Sequence, residues 1–213
     1  MLKKILCLSA LCLFALAGYA KADTIGPGAS CASCFGSSYT LSYTTTANPN
    51  IFDVNLVIDT TGYTGTSTNL LNSVGLKIVS QSSDITSVSL ISAPSTFSST
   101  VETGLNANGC AGGGGGFFCS EGSTTGLAVG GSGDVYSFTW QVAVTAPSDL
   151  MLGAGDASVK ALYVTSAGSP NGITSEDITL DPGTSPVPEP SSFALLGTGL
   201  LGVAGFIRRK LSV

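Results

Sequence analysis

Across residues 136–144 the chain alternates without a slip. Tyr136, Phe138, Trp140, Val142 and Val144 fall on one face, and Ser137, Thr139, Gln141 and Ala143 on the other. A period of two is the spacing of a β-strand with one dry and one wet face, and no helix gathers such a set onto one side. The same pattern recurs at residues 52–58, where Phe52, Val54, Leu56 and Ile58 share a face, and at 158–165, where Val159, Ala161 and Tyr163 do. Shorter β-branched or aromatic runs at 39–45, 75–80, 85–91, 96–101 and 173–180 are separated by Gly, Pro, Asn, Asp and Ser clusters. Only residues 69–74 suggest a turn of helix. Eight or so half-buried strands predict an all-β fold of antiparallel sheets packed on one side. The expected architecture is a β-sandwich of jelly-roll or immunoglobulin-like type, with an up-and-down barrel as the alternative.

Composition narrows the chemistry. The 213 residues contain no histidine. Ser-His-Asp and Cys-His catalysis in cis, and any His-ligated zinc, are therefore excluded. Serine and threonine make up about a quarter of the chain, and the mean hydropathy is +0.41. Between Asp23 and Val187, Lys77 and Lys160 stand against twelve acids, a formal net of −10. A body so acidic has no basic stripe for nucleic acid and little attraction to anionic surfaces.

The two ends carry a different signature. Lys3 and Lys4 precede an apolar stretch at 5–16, and Ala20 and Ala22 form an A-x-A site before Asp23. This is a secretory signal over residues 1–22, cut by signal peptidase after Ala22, or after Ala20 as second choice. Cys7 and Cys12 lie inside the apolar stretch, and no cysteine stands at the cut, so the signal is not of the lipoprotein type. At the other end, residues 186–192 read Pro-Val-Pro-Glu-Pro-Ser-Ser, a stiff extended segment because each proline fixes φ and biases its predecessor. Residues 193–207 follow without a charge, and Arg208, Arg209 and Lys210 close the run. Fifteen helical residues cover only about 22 Å of a ~30 Å hydrocarbon core. Snorkelling of the basic residues must extend the span, and their charge keeps them cytoplasmic with the body outside.

Pro188, Glu189 and Pro190, a glycine-containing apolar helix and a terminal basic cluster, in that order, resemble the PEP-CTERM sorting tail of Gram-negative bacteria. The resemblance covers about an eighth of the chain, and the alternative is an ordinary single-pass anchor. It implies recognition and removal of the tail by an exosortase, a membrane-embedded transpeptidase-like protease. It also implies transient inner-membrane anchoring, followed by release to the cell surface or to an exopolysaccharide matrix. Pro188, Glu189 and Pro190 would be the sorting motif and Arg208, Arg209 and Lys210 the basic stop.

Between the ends, residues 23–185 form the expected ectodomain, followed by the tail at 186–213. Its cysteines are Cys31, Cys34, Cys110 and Cys119, an even number in an exported body, which favours disulfides over a four-thiolate zinc site. We expect Cys110 to pair with Cys119 and Cys31 with Cys34, long-range bridges being the rival. Residues 112–116, five glycines, are expected to form a mobile surface loop tethered by the first pair; no phosphate-loop lysine follows them. Asp134, Asp149, Asp156, Glu176, Asp177 and Asp181 fit no EF-hand spacing and read as turn acids. Trp140 is in phase with the core, whereas Tyr63, in a Thr/Gly-rich connection, is expected exposed. Asp53 and Asp59 are the carboxylates a glycosidase reading would pair. No catalytic, cofactor or metal site is assigned. The expected function is non-enzymatic, that of a surface or biofilm-matrix protein; the alternative is a carbohydrate-binding module linking matrix polysaccharide.

Overall fold

The computed structural model describes residues 24–26, 31–66, 69–123 and 126–182. The expected signal peptide and the tail with its membrane helix lie outside these residues. Among the described residues there is no α-helix, only three short 3₁₀ turns and fourteen strands. One sheet contains β1 (Thr24–Ile25), β2 (Ser38–Thr45), β3 (Ile51–Asp59), β5 (Ile85–Ser92), β11 (Val135–Val144) and β14 (Asp181–Pro182). The other contains β4 (Asn69–Lys77), β6 (Phe97–Val101), β9 (Phe117–Gly122), β10 (Leu127–Ala128), β12 (Ala157–Thr165) and β13 (Pro170–Ile178). A separate hairpin is made by β7 (Gly104–Asn106) and β8 (Gly109–Gly112).

The first sheet runs β1-β2-β3-β11-β5, with β14 also on β2; the second runs β13-β12-β4-β9-β6, with β10 also on β4. All pairings are antiparallel except that of β14 with Ser42 and Tyr43 of β2. The two sheets end in separate edge strands, so the barrel alternative does not hold. β1 and β14 both dock on β2, the first at Tyr39–Thr40 and the second at Ser42–Tyr43.

Period-two patterning explains which faces meet. Phe52, Val54, Leu56 and Ile58 of β3 and Phe138, Trp140, Val142 and Val144 of β11 are buried, and they join Val74, Leu76, Phe118, Val159 and Tyr163 of the second sheet in one core. Trp140 is fully buried, as its phase predicts. It stacks on Phe138 at 5.7 Å and 12° and meets Phe118 edge-on. Its Nε1 donates to Ser120 Oγ at 2.8 Å and Thr100 Oγ1 at 3.1 Å, so the one indole N–H in the core is satisfied. The outer face of the first sheet is a polar ladder: Asn55 Nδ2 donates to Ser137 and Thr139, and Gln141 Nε2 to Asp53.

Residues 69–74, expected as a turn of helix, are the first two-thirds of β4. The pattern misleads because β4 is buried on both faces and carries a bulge. Leu71 pairs with Tyr163 and Ser73 with Leu162, leaving Asn72 unopposed. On its other side β4 changes partner at the same place, from β9 to β10.

Candidate functional site

The second sheet has an outer face that is not left to solvent. Leu105 of β7 sits over it and packs with Cys119, Leu162 and Val164 in a small second core, flanked by Leu70, Cys110 and Ile173. Gly75 makes room for this cover, since a Cβ there would lie 3.1 Å from that of Leu105. The hairpin is clamped where the spacing predicts: Cys110 of β8 is joined to Cys119 of β9, their Cα atoms 5.5 Å apart. Thr103 Oγ1 adds a hydrogen bond to the Cys110 carbonyl at 2.7 Å.

The glycine run between those cysteines is exposed and outside any strand at residues 113–115, the surface loop expected within the bridge, and its ends are held in place. Gly112 ends β8, and its backbone packs on Gly104 closely enough to exclude any side chain. The amides of Gly115 and Gly116 donate to Ser82 Oγ at 3.0 and 3.2 Å, and both residues take positive φ. Close approach requires glycine at 112 and 116 and backbone conformation favours it at 115 and 116, whereas a side chain at Gly113 would meet open space.

Beside the hairpin lies a groove of 630 Å³. The hairpin turn at Asn108 and Gly109 forms one wall and the β12–β13 turn at 166–168 the other. Leu162 and Val164 are at its floor, with Asn72 and Glu121 on the rim. Gly109 takes φ +87°, and its missing Cβ leaves room for the Glu121 carboxylate, which also accepts a long 3.4 Å hydrogen bond from the Cys110 amide. The bulge that singles out Asn72 is thus part of the groove.

The remaining candidates fall out differently. Cys31 and Cys34 are joined, with Cα atoms 5.4 Å apart, and both are buried in the main core. Their turn serves as a staple: Ser33 bonds to Glu176, its carbonyl accepts from Thr174 Oγ1, and its Oγ accepts from the Ser175 amide of edge strand β13. Tyr63 is half-buried instead of exposed. Its ring lies 4.8 Å from that of Tyr163 and 6.2 Å from Phe35, and Asn69 Nδ2 donates to its hydroxyl. A connection rich in threonine and glycine gave no sign of this, because the ring folds back over Gly65 onto the core.

Beneath it Tyr39 and Tyr163 join the two sheets, hydroxyl to hydroxyl at 2.6 Å, with Thr174 and Ser37 completing the network. Burial pushes both phenols up, Tyr39 well above the usual tyrosine range, with the neighbouring Tyr163 adding to the effect.

Asp53 and Asp59 stand on the same face of β3, six residues apart, so at about 3.3 Å per residue their Cα atoms lie ~20 Å apart. Glycosidase carboxylates need roughly 5–9.5 Å. Asp59 is also held below the ordinary carboxylate range by hydrogen bonds from the Thr61 hydroxyl and amide, the reverse of what a general acid requires. Asp149 and Asp134 accept hydrogen bonds from the Ala146 and Gly131 amides of their own turns. Among the described residues no three acids or cysteines gather into a possible metal site.

Residues 186–210 match the model of the PEP-CTERM protein-sorting motif. The tail is similar to a PEP-CTERM protein-sorting motif. This range includes Pro188, Glu189 and Pro190 and the basic cluster Arg208, Arg209 and Lys210, and it supports an exported protein with an exosortase as its processing partner. No curated protein matches the chain.

Proposed function

We propose that this chain is a non-enzymatic exported protein, delivered through its PEP-CTERM tail to the cell surface or extracellular matrix, where its β-sandwich acts as a structural or adhesive element. The match of residues 186–210 carries the reading. Two disulfides and an acidic, histidine-free body suit an oxidising compartment outside the cytoplasm. Signal peptidase would remove residues 1–22, and the basic cluster at 208–210 would hold the uncut tail in the inner membrane. In a host with the exosortase, intact mass should show a mature chain starting near Asp23 and ending near Pro190. Replacing Pro188, Glu189 and Pro190 by alanine should leave export intact and block processing. Full-length chains retained in the membrane of the wild type would overturn the processing step.

The second reading, a module that binds matrix polysaccharide, is favoured by one observation: a polar-rimmed groove beside a disulfide-clamped hairpin.

A further inference from the structure

The groove on the outer face of the second sheet has a chemistry that selects among ligands. Its volume, 630 Å³, falls within the ~300–1,000 Å³ of small-molecule sites. Among the described residues Glu121 is the only charged one lining it, and no lysine or arginine does. Phosphates, uronates and other anions would therefore meet a carboxylate and no counter-charge. One carboxylate is equally too few for a divalent cation, which takes six or more oxygens. Among the described residues no aromatic side chain lines it for a planar ring to stack on, and its exposed apolar side chains, Ala107, Ala167 and Pro170, are too small to sheath a lipid chain. What the groove offers is amide and carboxylate groups around a small apolar floor. Among the described residues none hydrogen-bonds the exposed side-chain amide of Asn108, and the side chain of Asn72 is bonded through its carbonyl oxygen, which accepts from Ser73 Oγ at 2.7 Å. Leu162 and Val164, 2% and 3% exposed, lie beneath it, and the exposed Ala107, Ala167 and Pro170 supply its accessible apolar surface. That combination suits a ligand that is uncharged, hydroxyl-rich and faced with C–H groups.

We infer that this groove binds one unit of a neutral saccharide, with Asn72, Asn108 and Glu121 bonding its hydroxyls and Ala107, Ala167 and Pro170 contacting its C–H face. This rests on the polysaccharide-binding reading and gives it a place. Rigidity supports the assignment: the Cys110–Cys119 bridge fixes the hairpin wall, and Gly109 fixes the approach of Glu121. A wall held before binding lowers the ordering cost that weak glycan contacts must overcome.

The test uses the full chain with its disulfides intact, screened on an array of neutral and acidic oligosaccharides and followed by calorimetric titration of the best neutral one. Asn108→Ala and Glu121→Gln should each weaken binding about tenfold, the loss expected for one or two hydrogen bonds. Ala167→Trp, which fills the mouth without touching the polar rim, should abolish it. Asp53→Asn, on the opposite sheet, should leave it unchanged. Neutral-glycan binding that survives all three groove substitutions would overturn the site and leave the polysaccharide reading standing. A wild type that binds no glycan, or only acidic ones, would overturn the site, and the former would overturn that reading with it.

Discussion

Removing the Cys110–Cys119 bridge tests whether the hairpin over the second sheet is a clamped element or merely a resting one. The bridge closes a ten-residue ring, residues 110–119. On the chain-entropy model, closing ten residues restricts the unfolded chain by about 9 cal/mol/K, or roughly 2.7 kcal/mol at 25 °C. The Cys31–Cys34 ring of four residues gives only ~1.9 kcal/mol on the same arithmetic. Replacing Cys110 and Cys119 together by alanine should therefore lower Tm by about 5–11 °C for a body of this size. The loss should also be local before it is global. The β7–β8 pairing spans three and four residues, and the second core beneath it holds only Leu105, Cys119, Leu162 and Val164 as buried members. Amide exchange should accelerate at 104–112 while β3 and β11 keep their protection. The assay is a thermal melt paired with hydrogen exchange on the same variant. A double variant melting within about 1 °C of the wild type, with the hairpin equally protected, would refute the reasoning. It would mean that Leu105 and the β7–β8 pairing hold the cover without the covalent link.

Two further outcomes follow from the core. Tyr39 and Tyr163 have folded pKa values raised above their unfolded value near ~10, so the folded state binds more protons above that pH and stability is lost as pH rises through the folded values. Unfolding free energies from urea titrations should fall from pH 9 to pH 11 with a slope of up to about 1.4 kcal/mol per pH unit for each phenol. Tyr39→Phe with Tyr163→Phe should flatten that slope; an unchanged slope would sink the attribution. Trp140→Phe should cost about 2 kcal/mol, short of the ~3–5 kcal/mol of Trp→Ala, because Thr100 and Ser120 stay bonded to each other at 2.6 Å and neither hydroxyl is orphaned. Chemical denaturation measures it, and a loss matching that of Trp→Ala would contradict the account.

The first sheet was legible because its outer face is wet. β2, β3 and β11 put most of their apolar residues inward and mainly polar ones outward, β5 does so less cleanly with Ile91 exposed, and the strands expected there match those formed. The local disulfides were legible too, since short spacing leaves a cysteine few other places to go. Missed were β7, β8 and β9, together with the short strands β1, β10 and β14. Glycine in a strand carries no pattern, and the residues of β8 are Gly109-Cys110-Ala111-Gly112. Nothing local announces that such a segment pairs, because its reason for pairing is the surface beneath it. The sorting motif was read from order and charge alone, and those need no fold.

The misreadings in the second sheet share one cause, and it leads back to the groove. Alternation fails where a strand is buried on both faces. β4 runs Leu71, Ser73, Val74, Gly75 and Leu76 with every one of them buried, and β12 ends in Ala161, Leu162, Tyr163 and Val164, likewise buried throughout. A strand needs a second dry face only if something covers it, and in a two-sheet body the cover has to come from outside the sheets. The run 161–164 is thus a sequence-level sign of the β7–β8 cover. The hairpin turns back at Asn108 and Gly109, and the groove opens beside that turn, over the covered Leu162 and Val164. Broken alternation in β4 and β12 and the groove beside Asn108 are consequences of the same hairpin.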